Sequence, residues 1–197
     1  MKKLISKFLV IALIIIPFTV YAGAPLDAMK GHINNVLDAL ADKSLKGESG
    51  KKAKKEKIRV IAQSMFDFNE LSRRTLGQNW KKLNSGQQKE FTGLYKQILE
   101  DLYIDKIMTY TDEKVLFKKE ETLTSKTAEI QTIIQTRKAD IPIFYRVTNK
   151  TGEWRVYDVV IEGVSLISNY RTQFKEILAK DSPDVLLDTL RKKVGKA

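Results

Sequence analysis

The sequence predicts an α+β protein in which helices come first, a four-stranded antiparallel sheet follows, and helices close the chain. Up to about residue 110, apolar residues recur every three or four positions, which indicates helices. Over residues 113–162 the period changes to two, which indicates strands, and helical spacing returns over 163–195. Short turns between the strands favour an antiparallel meander. Helices grouped around one such sheet are typical of the α+β class.

The first part of the chain contains three predicted helices before residue 80. Apolar spacing places one helix over 26–42 and marks a second over 58–65. Asp67, followed three residues later by Glu70, predicts a capping box that opens a short helix ending at Gly77.

The longest helix is predicted over residues 87–109. Ser85 with Gln88 three residues later forms a second predicted capping box at its start. A wide, aromatic stripe follows, as expected of a helix that covers a sheet or a cavity. Its residues are Phe91, Leu94, Tyr95, Ile98, Leu99, Leu102 and Ile107.

Four strands are predicted at 115–119, 128–136, 141–147 and 153–161. In the fourth strand, strict alternation assigns one face to Trp154, Val156, Asp158 and Val160. Two final helices are predicted at 164–179 and 184–194.

The N-terminus has the three parts of a cleavable secretory signal peptide over residues 1–22. Three lysines precede an apolar run at 9–18, and the sequence Val-Tyr-Ala at 20–22 offers a cleavage site. The apolar run is too short to cross roughly 30 Å of hydrocarbon. We therefore expect an exported domain of residues 23–197 that works in the periplasm.

Composition narrows the classes of partner. The chain has no cysteine, which excludes a disulfide framework, a CxxC redox site and a cysteine-linked lipid anchor, so we expect no membrane anchor. The formal charge of +11 falls to +8 without the three lysines of the signal peptide, which favours an anionic partner. Export argues against nucleic acid. The lysine-rich run at 51–57 is interpreted as the solvated start of a helix, with membrane-surface contact as the alternative.

No set of catalytic or metal-binding residues is recognisable, and no cofactor is expected. His32 is the only histidine, and residues 163–165 match only the first half of a G-x-S-x-G motif. Asp158 is flanked by apolar residues and could be a buried acid, although a structural partner such as Arg155 or Arg171 is the preferred interpretation. These absences favour a binding protein over an enzyme.

Several segments carry a family resemblance, above all GEWRVYDVVIEGVSLI at 152–167. The other segments are YRV at 145–147, YRTQF at 170–174, LGQNW at 76–80 and QKEF at 88–91. Together they resemble the MlaC family of periplasmic phospholipid-binding proteins, also called toluene-tolerance proteins. The similarity covers about 65–194, whereas the lysine density over 43–57 does not match the family pattern.

The resemblance implies a fold and a function. The fold is a curved antiparallel sheet with helices, similar to the NTF2-like architecture, with lipid tails in an apolar cavity between them. The function is to carry diacyl phospholipid across the periplasm without catalysis, maintaining outer-membrane lipid asymmetry. The implied partners are an inner-membrane ABC transporter with an MCE-domain subunit and an outer-membrane lipoprotein–porin complex, and the only bound cofactor-like molecule is the phospholipid cargo.

Twelve apolar residues are candidates for the cavity lining, with an ordinary filled core as the alternative. From the sheet and its flank they are Ile130, Ile134, Ile143, Tyr145, Val147, Val160, Val164 and Ile167. From the helices they are Leu76, Leu94, Ile98 and Leu102. We expect about half to touch the ligand.

Four cations near the LGQNW segment are expected to be exposed and to bind the partner complexes: Arg73, Arg74, Lys81 and Lys82. Three other functions stay open from the residues alone. They are a carrier of a different lipophilic molecule, an NTF2-like enzyme that uses Asp158, and an adaptor that binds an envelope protein through its basic surface.

Overall fold

The computed structural model describes residues 24–110 and 113–194. The predicted signal peptide over 1–22 lies outside the described residues. Within the described part of the chain, no helix combines the length and the apolarity that crossing a membrane requires.

Six α-helices and one 3₁₀ helix are found in the described residues. They are α1 (Pro25–Ala41), α2 (Gly47–Met65), α3 (Phe68–Leu76), the 3₁₀ helix (Gly77–Lys82), α4 (Ser85–Ile107), α5 (Leu166–Lys180) and α6 (Pro183–Val194). Most bounds agree with the predicted ones within two residues. The main extension is α2, which reaches back to Gly47 and includes the whole lysine-rich run.

The two predicted capping boxes have different outcomes. Asn84, not Ser85, caps α4: its side chain accepts from the Gln87 N–H at 2.9 Å, and the Gln87 side chain accepts from the Asn84 N–H at 3.0 Å. Asparagine caps as well as serine, so the box forms one residue earlier. Asp67 accepts from the Glu70 N–H at 2.9 Å, but its own N–H donates to Val156 instead, so only half of that box exists.

The sheet has five antiparallel strands in the order β1-β2-β3-β4-β5. They are β1 (Lys114–Thr124), β2 (Thr127–Gln135), β3 (Asp140–Thr148), β4 (Arg155–Ile161) and β5 (Val164–Ser165). The prediction of four strands missed β5, which forms because Glu162 (φ 49°) and Gly163 (φ 83°) make a left-handed turn and fold the chain back onto β4.

A β-bulge changes the faces of β4. Arg146 pairs with Asp158 and Val147 pairs with Val156, so Tyr157 is an extra residue on β4. The alternation therefore breaks there. The prediction that Val156 shares a face with Asp158 is wrong, because Val156 turns to the opposite side.

Two large apolar clusters stabilise the protein. The first is a helical core formed mainly by α3, α4, α5 and α6. Phe91, Tyr95 and Phe174 contact one another there, with ring centroids 5.4 to 5.5 Å apart. The second cluster lies on one face of the sheet, under α1 and the end of α2. We call this the inner face; it carries Ala128, Ile130, Thr132, Ile134, Ile141, Ile143, Tyr145, Val147, Val156, Val159 and Ile161.

Glu70 joins α3 to the sheet through a buried carboxylate. It accepts from Arg73 at 2.7 Å, from Arg74 at 2.8 Å and from Lys150 in the β3–β4 turn at 2.7 Å. The Arg74 guanidinium also stacks 3.9 Å from the centroid of the Tyr157 ring. Burial alone would raise the pKa of Glu70, but the hydrogen bonds from Lys150, Arg73 and Arg74 outweigh it and lower the pKa to about 2.

The Glu70 carboxylate should make stability depend on acid pH. Because its pKa is lower in the folded state, its contribution is complete above about pH 4.5 and is lost as the pH falls through about 2. We expect Glu70→Gln to lower the free energy of unfolding by about 2–3 kcal/mol at pH 7 and by much less near pH 2. Urea denaturation at both pH values measures this. Glu176→Gln, an exposed control, should have little effect at either pH, and an equal loss for Glu70→Gln at both values would contradict the assignment.

Candidate functional site

An apolar cavity of about 390 Å³ lies between the inner face of the sheet and the helices. This volume is within the range of roughly 300–1,000 Å³ that is usual for ligand sites. The sheet provides one wall of the cavity, with residues from β1, β2, β3 and β4. The wall residues are Val115, Ile134, Ile141, Ile143, Tyr145, Val159 and Ile161.

The opposite wall comes mainly from three helices. Its residues are Ile33, Val36, Leu37, Leu40 and Ala41 of α1, Ile58, Ala62 and Met65 of α2, and Leu99, Tyr103, Ile104 and Ile107 of α4, with Phe66, Phe68 and Leu166 beside them. Helix α1 packs against the sheet cluster through Met29, Ile33 and Leu37, and from Ile33 onward its apolar residues also line the cavity. Met29, nearer the start of α1, is fully buried and does not line the cavity.

The cavity opens at the end of the sheet where β1 begins and β4 ends. Three of its lining residues are exposed there: Ala41, Lys106 and Glu162. Glu113 and Tyr110 also border this mouth. Charged groups at the mouth and apolar groups inside suit an amphipathic ligand with an apolar body.

Two polar residues of the cavity wall, Tyr145 and Glu100, do not place a free charge in the apolar interior. Burial raises the pKa of Tyr145, so its hydroxyl is neutral at physiological pH. Burial also raises the pKa of Glu100, whose carboxylate lies 3.5 Å from Arg59, 3.3 Å from Gln63 and 3.8 Å from Lys96. Glu100 thus links α4 to α2 rather than presenting a free acid to the cavity.

Comparison with known proteins identifies the family. The sequence model of the family described as MlaC protein matches residues 30–192, which is most of the chain. The chain belongs to the MlaC family.

Relatives with this family's names have low sequence identity to the chain. The Haemophilus influenzae "intermembrane phospholipid transport system binding protein MlaC" is 26% identical over 123 residues, which are 60% of this chain and 58% of that relative. The chain therefore spans less than two thirds of that protein in the match. The Pseudomonas putida "toluene tolerance protein ttg2D" is 22% identical over 188 residues, 94% of this chain and 87% of the relative.

A solved structure shows the same fold. The phospholipid-binding protein from Ralstonia solanacearum, solved in complex with a phospholipid, matches with a TM-score of 0.78 at 18% identity. The match covers 88% of this chain and 98% of the Ralstonia chain. The α+β prediction of a sheet packed with helices is confirmed, with five strands instead of four.

The twelve predicted lining residues of this MlaC family member fall into three groups: some line the cavity, some are buried or packed elsewhere and some are exposed. Ile134, Ile143 and Tyr145 line the cavity. Ile130 and Val147 lie on the same inner face and are fully buried in its apolar cluster, but they do not line the cavity.

Five more of the predicted lining residues are placed elsewhere. Leu76 and Ile98 are buried in the helical core, and Leu94 packs against it. Val160 and Ile167 are buried outside the cavity, on the side of β4 that carries Asp158. The sequence correctly indicated that these residues are at least partly buried, but they pack against other side chains instead of lining the cavity.

The prediction that Leu102 and Val164 lie inside is wrong. Leu102 is 55% exposed. In this turn of α4 the residues that face the cavity are Leu99 and Tyr103, and Leu102 lies on the solvent side. Val164 is 61% exposed, because it belongs to the two-residue edge strand β5 rather than to a helix over the cavity.

The helical wall from α1 and α2 was not predicted as part of the site. The sequence signal existed: Ile33, Val36, Leu37 and Leu40 form a regular helical stripe. However, a stripe that lines a cavity has the same period as a stripe that fills a core. Periodicity predicts which side of a helix is buried, not whether space remains beneath it.

The four predicted partner-binding cations also differ from one another. Lys81 and Lys82 are exposed on the 3₁₀ helix, and neither forms an ion pair with another described residue. Arg73 is exposed but pairs with Glu70. The prediction that Arg74 is exposed is wrong, because its side chain is half-buried between Glu70 and the ring of Tyr157.

Asp158 is not among the residues that line the cavity. Its carboxylate accepts from Arg146 at 3.1 Å, from the Ser165 hydroxyl at 2.7 Å and from the Ile167 N–H at 3.1 Å. These bonds hold β3, β5 and the start of α5 around the bulged strand. A structural role is what this geometry supports.

The predicted partners of Asp158 were wrong. Arg155 pairs with Glu153, and Arg171 donates to the Arg74 carbonyl oxygen at 2.7 Å. Alternation could not identify Arg146, because its pairing with Asp158 depends on the register of β3 against β4. As for metal sites, the described residues contain no group of three or more His, Asp or Glu side chains that could hold an ion.

Replacing Asp158 should affect stability and not ligand capacity. We expect Asp158→Asn to lower the free energy of unfolding by about 1.5–3 kcal/mol. The substitution removes the negative charge that pairs with Arg146, and it replaces one of the two oxygens that accept from the Ser165 hydroxyl and the Ile167 N–H with a donor group. Thermal denaturation measures the loss, and the amount of co-purified ligand should be unchanged. Asp181→Asn, which alters an exposed aspartate, is the matched control. Loss of a hydrolytic activity in Asp158→Asn would instead indicate an enzyme.

Proposed function

We propose that this protein is a periplasmic carrier that holds diacyl phospholipid in the apolar cavity and moves it between the outer and inner membranes. The observation that carries the proposal is the amphipathic cavity between the inner face and α1, α2 and α4, in a chain of the MlaC family. The names of the Haemophilus and Ralstonia proteins, which refer to phospholipid, support the choice of ligand. The predicted signal peptide supports export.

The physical task needs burial and no covalent chemistry. A diacyl phospholipid in water exposes about 30 methylene groups, each worth about 0.8 kcal/mol, or roughly 25 kcal/mol together. A wall of aliphatic and aromatic side chains offsets this cost much as a bilayer does. Binding and release can therefore stay close to balance, which a carrier requires.

We also propose that the carrier docks on the two membrane complexes that the family resemblance implies. These are the MCE-domain ABC transporter of the inner membrane and the lipoprotein–porin complex of the outer membrane. Of the four predicted partner-binding cations, Lys81 and Lys82 are the best candidates for such contacts, since their charges are not used within the described part of the fold.

The ligand is tested by native mass spectrometry of protein purified after export and without detergent. The proposal expects a lipid-bound mass in which one diacyl phospholipid accompanies each protein. A different lipophilic molecule would indicate another kind of carrier. Repeated preparations that contain only the bare protein would contradict the proposed function.

Filling the cavity should displace the ligand. Ala62 of α2 lines the cavity, so Ala62→Phe places a ring where lipid tails are proposed to lie. We expect phospholipid occupancy to fall while the protein still folds, at a stability cost of about 1–3 kcal/mol from overpacking. Lipid content per protein and thermal stability are the two measurements.

The control for Ala62→Phe is Val164→Trp, which adds a large ring at an exposed position outside the cavity. Its lipid occupancy should equal that of the wild type. Equal occupancy in both variants would show that the ligand does not lie in this cavity.

Charge reversal at the 3₁₀ helix should weaken docking and spare lipid binding. We expect Lys81→Glu with Lys82→Glu to reduce association with the membrane complexes by about tenfold or more, because a rim charge contributes mainly through long-range attraction. Added salt should weaken wild-type association too, since the Debye length is only about 8–10 Å at physiological ionic strength. Binding to purified complexes measures this. Retained association with normal salt dependence would place the docking surface elsewhere.

A further inference from the structure

Four lysines around the start of α2 form a second basic surface. They are Lys43 and Lys46, in the loop between α1 and α2, and Lys51 and Lys52, in the first turns of α2. All four side chains are exposed, and none forms an ion pair with another described residue. We call these four residues the α2 basic surface.

The neighbouring lysines of the same run are already used within the fold. Lys54 donates to the Leu40 carbonyl oxygen at 2.7 Å, and Lys57 pairs with Asp42 at 2.9 Å, so both hold α2 to the end of α1. Lys55 pairs with Asp105 near the end of α4. The lysines of this region therefore form two groups. Lys54, Lys55 and Lys57 stabilise the packing of the helices, whereas the four lysines of the α2 basic surface do not.

The α2 basic surface is held in a fixed arrangement. Gly50 is buried where the α1–α2 loop crosses it, and a Cβ atom there would lie only 2.3 Å from the Leu45 carbonyl carbon. Close approach of the loop to α2 thus depends on glycine at this position. Asp42 also accepts from the Ser44 N–H at 3.0 Å, which shapes the loop. The loop that carries Lys43 and Lys46 therefore stays close to the first turns of α2, which carry Lys51 and Lys52.

This surface borders the cavity mouth. Leu40, which Lys54 contacts, lines the cavity, and Asp105, which Lys55 contacts, precedes the mouth residue Lys106. Lys51 lies three to four residues before both contact lysines, so it is on the same side of α2 and one turn closer to the helix start. The ends of α1 and α4 and the start of α2 therefore meet at the opening.

The composition of the surface favours a bilayer over a protein as its partner. Protein interfaces are enriched in arginine and aromatic residues and depleted in lysine. Over residues 43–52 there is no arginine and no aromatic residue, and the exposed charges are the four lysines and one glutamate, Glu48. Lysine is a mobile, strongly hydrated point charge that suits a diffuse anionic surface. Clusters of four or more cations at one place are typical of anionic-lipid contact.

We propose that the α2 basic surface docks the cavity mouth onto an anionic phospholipid bilayer. Electrostatic contact would bring the opening of the cavity to the headgroup layer, while Lys81 and Lys82 remain available for protein partners. The purpose of this contact, which is to exchange phospholipid, rests on the proposed carrier function. Vesicle binding itself can be measured whether or not the cavity holds phospholipid.

The test is co-sedimentation of the exported protein with vesicles at 50 mM and 150 mM salt. One set of vesicles is half phosphatidylglycerol and half phosphatidylethanolamine, and the other is pure phosphatidylcholine. We expect binding to the anionic vesicles only, and weaker binding at the higher salt. Because each lysine near such a surface contributes roughly a fivefold gain, Lys51→Gln with Lys52→Gln should weaken binding about 25-fold at the lower salt.

The matched control is Lys175→Gln with Lys180→Gln, which removes the same charge from exposed positions on α5. It should bind anionic vesicles nearly as well as the wild type. Equal losses in both double variants, or equal wild-type binding to both kinds of vesicle, would overturn the proposal. So would a Lys51→Gln, Lys52→Gln variant that keeps vesicle binding but loses an acidic protein partner.

Lipid content separates this proposal from the proposed function. Native mass spectrometry of Lys51→Gln with Lys52→Gln should show wild-type occupancy after expression, and uptake from anionic vesicles should slow with the loss of vesicle binding. If the wild type binds anionic vesicles but never contains phospholipid, the carrier function fails and the docking surface stands. If occupancy is normal but vesicle binding is absent, the docking surface fails and the carrier function stands.

Discussion

The way α1 rests on the sheet determines the rest of the structure. Met29 and Ile33 pack against the inner face of the sheet, and Leu37 packs against the same cluster. From Ile33 to Ala41, apolar residues of the helix also line the cavity. One helix therefore both covers the sheet and forms a wall of the cavity. The helices that follow complete the wall: α2 is held to α1 by lysine contacts, and α4 is linked to α2 through Glu100.

A cavity of this kind has a cost, because unfilled space removes packing contacts that a core would have. Beside the cavity lies the helical core, which shares Leu99 and Leu166 with the cavity lining. Phe91, Tyr95 and Phe174 fill the centre of that core and do not line the cavity. Asp158 and Glu70 then hold the outer side of the sheet to α5 and α3 through buried charge-assisted bonds. Much of the stabilising packing therefore lies away from the residues that line the cavity.

The same separation explains what could be read from the sequence. Helices and strands follow from apolar periods of 3.6 and 2, so most of their bounds were predicted to within two residues. The exceptions are α2, which begins eleven residues earlier than predicted, and β1, which ends five residues later. Errors arose where one residue shifts the register, as at the bulge of Tyr157 and the turn of Glu162. The site was harder, because period indicates burial but not the distance to the opposite wall. Leu37 and Ile98 belong to similar stripes, yet one faces a cavity and the other a filled core.

A carrier with such a site gains its specificity at the opening rather than in the interior. The apolar wall offers a lipid tail about the same environment as a bilayer, so the free-energy difference between protein and membrane is small. Transfer is then governed by how often the mouth meets a membrane or a partner, not by the strength of tail binding. On this chain the charges are arranged accordingly. The cavity wall holds its one buried carboxylate, Glu100, among basic and amide side chains, while unpaired lysines stand at the start of α2 and on the 3₁₀ helix. Electrostatic attraction at the surface can thus direct a ligand whose burial is nearly neutral in free energy.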